Sequence, residues 1–442
     1  MKTFNFNPIE INLDSNNKIL ALPYGKVPLS YLVMLIKAGS EKDPKGKEGL
    51  ADLWAESMTL GTKRRSLEEL NFQVEKLGGY LEGSAGWDFS LLILSGLEER
   101  GNELLDILFE ILSEPDFPSS EIEKAKERRL SNILQFKDDP SKMADRLIWN
   151  MAMEGTPYAH PINGSLSSIK NITPEDIGHF HNQILPQERF TLFILSKELK
   201  AEFLKKAEKT SFKLITQKEK NEKPPETKPS TLQPQILILD RPDLTQSEIR
   251  IAFSSISRKD DRYHVLKLMN YLLGGGGFSS RLMEKVRSQK GYTYSIRSSF
   301  CSLKTCGTLI ISTFTPTDTT YATFEEILLT IEDFIKQGPT EKELKEAKRF
   351  FEKSLPLRLE TPKQLLNEMI SRETYDLKFQ DLFEEIEKIT KVKIEEIKSI
   401  ANEILQTQKM QVLIIGNSQH FVKNFKNFKN RKEGFFKKFY AS

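Results

Sequence analysis

Apolar positions in the first 45 residues come in short runs, "IEINL", "KILALPY" and "SYLVMLIKAGS", with polar breaks between them. Such runs predict antiparallel strands. The spacing then changes. Leu50, Leu53, Trp54 and Met58 recur at i, i+3, i+4 and i+8, one stripe of a helix that starts near Glu48 and is closed by Gly61. Asp52 and Glu56 lie one turn apart on another side of it and read as an exposed polar face. Ser66 and Glu69 form a capping-box signature for the next helix, "SLEELNFQVEK", which Gly78 and Gly79 stop. "YLEGSAGWDFSLLILSGL" returns to strand. Helices resume with "NELLDILFEIL" and, after Pro118, with "SSEIEKAKERRLSNIL".

Residues 216–235 break the pattern with four prolines, many charges and no periodicity, the signature of a linker. Beyond it the plan recurs. "QILILDR" and "SEIRIAF" read as strands, and "DRYHVLKLMNYLLGG" as a helix ending in glycines. "SSRLMEKVRSQKGYTYSI" runs from helix into strand, as "SLEELNFQVEKLGGYLEG" does. The clearest echo is "PSSEIEKAK" from Pro118 against "PTEKELKEAK" from Pro339. The economical reading is an α+β protein of two homologous halves, 1–215 and 236–442, each of two mixed sheet-and-helix subdomains.

A chain of 442 residues is too long for one ordinary core, which agrees with two halves. With 38% hydrophobic and 29% charged residues the composition is that of a soluble globular protein. A net charge of +3 exerts no global pull on nucleic acid or membrane, and no apolar run approaches the roughly 18 residues of a membrane span. "MKTFNFNPIEINLDSNNK" has no apolar core and no cleavage site, so it does not read as a signal peptide. The cytoplasm is the default compartment, and the periplasm applies if a leader has been removed. Cys301 and Cys306 could face each other across a hairpin, but two reduced thiols is the simpler reading.

Other signals are weaker. "GGGG" at 274–277 lacks the Lys-Ser/Thr of a phosphate loop and reads as a tight turn between helices. The five histidines make no metal pattern, and His179 and His181, at i and i+2, point to different faces. The basic, aromatic tail "FVKNFKNFKNRKEGFFKKFYAS" has a pattern that would suit a membrane surface or nucleic acid. It reads more simply as a terminal helix that packs Phe421, Phe425 and Phe428 on its own domain.

Four stretches carry a resemblance: "EGLADLWAESMTLGTKRRS", "LGGYLEGSAGWDFSLL", "GTPYAHPINGSLSSIKNITPEDI" and "NYLLGGGGFSSRLMEKVRSQKGYTYSI". In this order and spacing they resemble the pitrilysin family, the inverted-motif zinc proteases that include insulysin and mitochondrial processing peptidase. The likeness spans nearly the whole chain. It implies a hinged clam-shell of two halves. Active members open with G-L-A-H-x-x-E-H. Two imidazoles one turn apart hold Zn²⁺, and the glutamate before the second acts as general base on the zinc-bound water. A third ligand is a glutamate about 75 residues later.

Aligning Gly49-Leu50-Ala51 and Gly61-Thr62 puts Asp52 and Glu56 at the histidine positions and Ala55 at the base. The third ligand is expected near Ser131, Asn132 or Ile133, none of them acidic. A methyl group accepts no proton, so Ala55 alone removes base catalysis. No metal and no cofactor is expected in this chain. The second half keeps what the family uses there, an arginine followed seven residues later by a tyrosine: Arg287 and Tyr294 in "VRSQKGYTYS". In the family this pair stabilises the negative charge that builds on the substrate carbonyl.

The resemblance therefore implies the non-zinc subunit of a heterodimeric metalloendopeptidase, inactive alone. Its partner would be a homologous chain with an intact H-x-x-E-H and its zinc. The substrate would be a peptide laid along a strand edge. The alternative is an inert structural subunit of the same family, which has no use for Arg287 and Tyr294.

Overall fold

A computed structural model describes residues 7–136, 138–215, 234–431 and 438–441. Twelve strands form two six-stranded mixed sheets. The first holds β1 (Ile9–Asn12), β2 (Lys18–Pro23), β3 (Leu29–Ile36), β4 (Tyr80–Ala85), β5 (Ser90–Leu97) and β6 (Phe190–Ser196). The second holds β7 (Gln235–Asp240), β8 (Gln246–Ser255), β9 (Ile296–Ser302), β10 (Gly307–Pro316), β11 (Gln411–Gly416) and β12 (Lys438–Ala441).

The orders are β1-β2-β6-β3-β5-β4 and β12-β7-β11-β8-β10-β9. Five strands of each sheet thus repeat in the same order. In each sheet a parallel pair, β2 with β6 and β7 with β11, adjoins an antiparallel meander. The outermost strands differ, since β1 runs antiparallel to β2 while β12 runs parallel to β7. Strands β6 and β11 are buried at every position, as expected of central strands covered on both faces. β5 alternates buried and half-buried positions along most of its length.

The helices follow the apolar periodicity. Ser66 accepts the Glu69 N–H while Glu69 accepts the Ser66 N–H, the reciprocal cap that the sequence predicts. The helices Leu50–Ser57, Gly101–Ser113 and Pro174–Gln187 share one large core with the first sheet. In the tail, Phe421 and Phe425 are buried and pack with Phe428 around Tyr321 and Phe324, leaving Lys423 and Lys426 outside. The strand partner of Cys301 is Thr308 rather than Cys306.

Two compact units result. The first takes Met1–Leu134, His160–Glu226 and Pro356–Asp381; the second takes Gln135–Ala159, Thr227–Leu355 and Leu382–Ser442. Each is built on one sheet, so four separate sheet subdomains are not seen among the described residues. Each unit also takes a helical segment from the other half of the sequence. In the first unit, Glu373 of the helix Pro362–Glu373 is buried and held by Lys18 and Lys37 at 2.9 Å each. In the second, the helix Pro140–Ala152 lies on β8 and β11, where buried Arg250 grips Asp145 at 2.6 Å. Contiguous halves cannot express that arrangement, because local periodicity does not say which sheet a helix will cover. The linker expected at 216–235 falls almost wholly outside the described residues.

Candidate functional site

The helix Leu50–Ser57 starts from Gly49, whose φ of 100° is open to glycine and strained for other residues. The Asp43 carboxylate caps the helix, accepting the N–H groups of Gly49 and Ala51 at 2.7 Å each. Burial pushes the Asp43 carboxyl up to about 7, against the pull of those two donors. Leu50, Leu53 and Trp54 face the core. Against β4 the helix backbone lies flush, for a Cβ on Gly83 would stand 1.8 Å from the Ala55 carbonyl oxygen. Ala55 itself is wholly buried.

Asp52 and Glu56 do not form the exposed face expected of them. Their side chains are 18% and 30% exposed, and both are engaged by one guanidinium. Arg129 Nη1 donates to Asp52 Oδ2 at 2.7 Å and Nη2 donates to Glu56 Oε2 at 2.6 Å. Arg128 adds a contact to Glu56 at 3.1 Å, and the Ala85 N–H donates to Asp52 Oδ1 at 3.0 Å. The residue that reaches Asp52 and Glu56, the positions aligned with the family's two histidines, is therefore Arg129, not Ser131, Asn132 or Ile133. Ser131 and Asn132 are exposed, and Ile133 is buried in the core. That position lies two residues before the expected one, and "ERRLSN" carries a legible signal: two adjacent cations available to answer the carboxylates of Asp52 and Glu56.

These residues do not fit zinc. Zinc sites favour imidazole, thiolate or carboxylate donors with room for the ion between them. Here the space between two carboxylates is spanned by a side chain that is itself cationic. Among the described residues no group of three His, Cys, Asp or Glu side chains is placed to hold a metal ion. His181 is a core residue whose Nδ1 accepts the Trp54 indole N–H at 3.2 Å, and burial lowers its pKa to about 4.

Close by, Glu41 is half-buried, and its carboxylate accepts the Gly39 N–H at 2.8 Å. Burial first, and the neighbouring Asp88 second, push it up to about 8. A carboxyl raised above its unfolded value binds a proton in the fold that the unfolded chain has released. Stability therefore falls as pH rises from about 4.5 towards 8. Glu41→Gln keeps the shape and removes the titration. Its urea unfolding should show a gain over wild type at pH 9 that shrinks or vanishes at pH 4. An equal difference at both values would mean that Glu41 does not titrate in this range.

The second candidate pair lies in the second unit. Gly277, at φ 61°, turns the chain from the helical segment before it into Phe278, which is 73% exposed. Arg287, in the π-helical turn Met283–Gln289, lays its guanidinium over that ring, 4.5 Å from the centroid. Tyr294, just before β9, is 78% exposed rather than half-buried strand filler. Neither the Arg287 nor the Tyr294 side chain has a hydrogen-bond or ion-pair partner among the described residues, and no bond joins them to each other. Phe278 was not singled out from the sequence, although an aromatic directly after "GGGG" was the available signal.

Two six-stranded mixed sheets with this strand order define an α+β, two-half architecture that solved proteins share. A peptidase M16 inactive domain from Pseudomonas fluorescens superposes with a TM-score of 0.83 at 23% identity, covering 93% of this chain and 98% of that one. A protease from Helicobacter pylori does so with a TM-score of 0.84 at 18% identity, covering 93% and 99%. In sequence, residues 21–165 match the family described as insulinase (peptidase family M16), and residues 171–351 match the peptidase M16 inactive domain. The chain belongs to peptidase family M16. A relative from Helicobacter pylori named non-peptidase homolog YmxG is 27% identical over 77% of this chain and 78% of its own length. An uncharacterized zinc protease YmxG from Bacillus subtilis is 22% identical over 90% and 94%.

Proposed function

We propose that this chain is the non-zinc subunit of a heterodimeric M16 metalloendopeptidase, catalytically inert alone, whose Arg287 and Tyr294 serve the zinc site of a homologous partner. The observation that carries the reading is the state of those two side chains. A half-buried guanidinium and an exposed phenol hydroxyl at the family's spacing have no side-chain acceptor among the described residues. A carbonyl oxygen gaining negative charge is the acceptor that both would suit. The sealed motif around Arg129 supports the other half of the reading. Its carboxylates are spent on an ion pair, and Ala55 can accept no proton. The name non-peptidase homolog, borne by the Helicobacter relative, points the same way.

Co-expression with a homologue that carries H-x-x-E-H tests the assembly. We expect a complex in size-exclusion chromatography that cleaves an unfolded peptide, while neither chain does so alone. Two chains that elute separately, or a partner fully active by itself, would overturn the heterodimer. A stable complex in which neither Arg287 nor Tyr294 affects turnover would leave the inert structural subunit as the better reading.

A further inference from the structure

Several guanidinium groups of the second unit are held by carboxylates. Arg250 is held by Asp145 and Glu248, Arg262 by Asp260 and Glu403, and Arg281 by Glu343 and Asp333. Arg297 is not. It is exposed, on β9, and its side chain has no hydrogen-bond or ion-pair partner among the described residues. Its position is informative. β9 ends the second sheet on the side away from β12, so its outer edge has no strand partner among the described residues. Arg297 pairs across to Ser312 on β10, which pairs in turn with Arg250 on β8. These three side chains share one face of the sheet. The helix Pro140–Ala152 covers that face over β8 and β11, and Arg297 stands at the far end of the row. Ile296 and Ser298 alternate with it and are buried on the other face, and the segment that carries Arg287 also packs against β9.

An extended peptide that adds to the open edge of β9 places alternate side chains on the two faces of the sheet. One set would pass along Arg297, next to Tyr294 and Arg287 in the chain. A guanidinium offers five fixed donors that match a carboxylate in a two-pronged fit, and none of Arg297's is committed among the described residues. We infer that Arg297 is a specificity residue, which favours peptide substrates carrying Asp or Glu at the position that faces it. The inference rests on the proposed substrate role of Arg287 and Tyr294, and adds the chemical class of the peptide.

The test uses paired fluorescent peptides that differ only by Asp for Asn, or Glu for Gln, at successive positions around the cleaved bond. Binding to the purified chain is read by fluorescence anisotropy, and turnover is read with the co-expressed complex. At low salt the acidic member should be favoured by about fivefold, the upper range for an exposed ion pair, with the preference shrinking as salt is raised. Arg297→Gln should bring the ratio to about one, and Arg297→Glu should reverse it. Arg349→Gln removes another exposed, unpaired guanidinium, on the helix Glu341–Arg358, and should keep the wild-type ratio. A ratio of one in the wild-type chain, or one that survives in Arg297→Gln, overturns the inference. Failure of the underlying reading looks different: turnover of both peptides would stay at the wild-type rate in Tyr294→Phe and Arg287→Ala.

Discussion

Tyr294→Phe is expected to lower turnover by the reconstituted heterodimer about 10²–10³-fold, or roughly 3–4 kcal/mol, the usual cost of one lost donor to a developing oxyanion. The substitution removes a hydroxyl and keeps the ring. Because Tyr294 is largely exposed and its hydroxyl bonds to nothing among the described residues, stability should hardly change, so a loss of turnover reports on chemistry and not on folding. Arg287→Ala should cost at least as much, since it removes a charge as well as donors. It also uncovers the Phe278 ring that the guanidinium overlies, so Arg287→Lys, which keeps the charge and loses the planar fork, is the informative companion. If both groups act on one oxygen, the double variant will fall short of the summed effects. Zinc content of the complex should stay the same throughout. Wild-type turnover in both single variants would mean that the pair has no catalytic part.

Much of this architecture can be read from periodicity. The switch from alternating to helical spacing at Leu50, the cap at Ser66 and the echo of Pro118 in Pro339 are local signals. Local signals survive folding because capping and amphipathic burial are decided within a few residues. What could not be read was non-local. Nothing near Pro140 or Pro362 says that those helices cover the sheet of the other half, because that choice is made by Arg250 and Glu373 against partners more than a hundred residues away. The face of Asp52 and Glu56 failed for a related reason. Helical spacing shows that they share a side, but whether that side meets water or Arg129 depends on how the helix Ser119–Phe136 returns. Carboxylates one turn apart imply a cation, and in this protein the cation is covalently part of the chain.

That substitution of guanidinium for metal leads to the other large expected effect. Asp52, Glu56 and Arg129 bring their tips together within 2.6–2.7 Å, so these three backbone positions already converge on one point. Asp52→His with Glu56→His supplies two imidazoles but leaves the Arg129 charge between them. A cation there repels Zn²⁺ and fills its place, so this double variant should carry no stoichiometric zinc. Adding Arg129→Glu removes the charge and provides a carboxylate, giving the two imidazoles and one carboxylate of a three-ligand site. The triple variant should then hold one zinc per chain by metal analysis. Zinc at about 100 times its Kd should also stabilise it by about 2.7 kcal/mol in urea unfolding, an effect absent from wild type. Hydrolysis is a separate matter. Ala55→Glu would put a carboxylate where the side chain is wholly buried and where β4 approaches the helix at Gly83. Asp52→His, Ala55→Glu and Glu56→His together, with Arg129 kept, should therefore yield little activity. Zinc binding by the double variant with Arg129 intact would show that the guanidinium does not hold the metal's place. A triple variant free of zinc would show that position 129 is not the third point of the site.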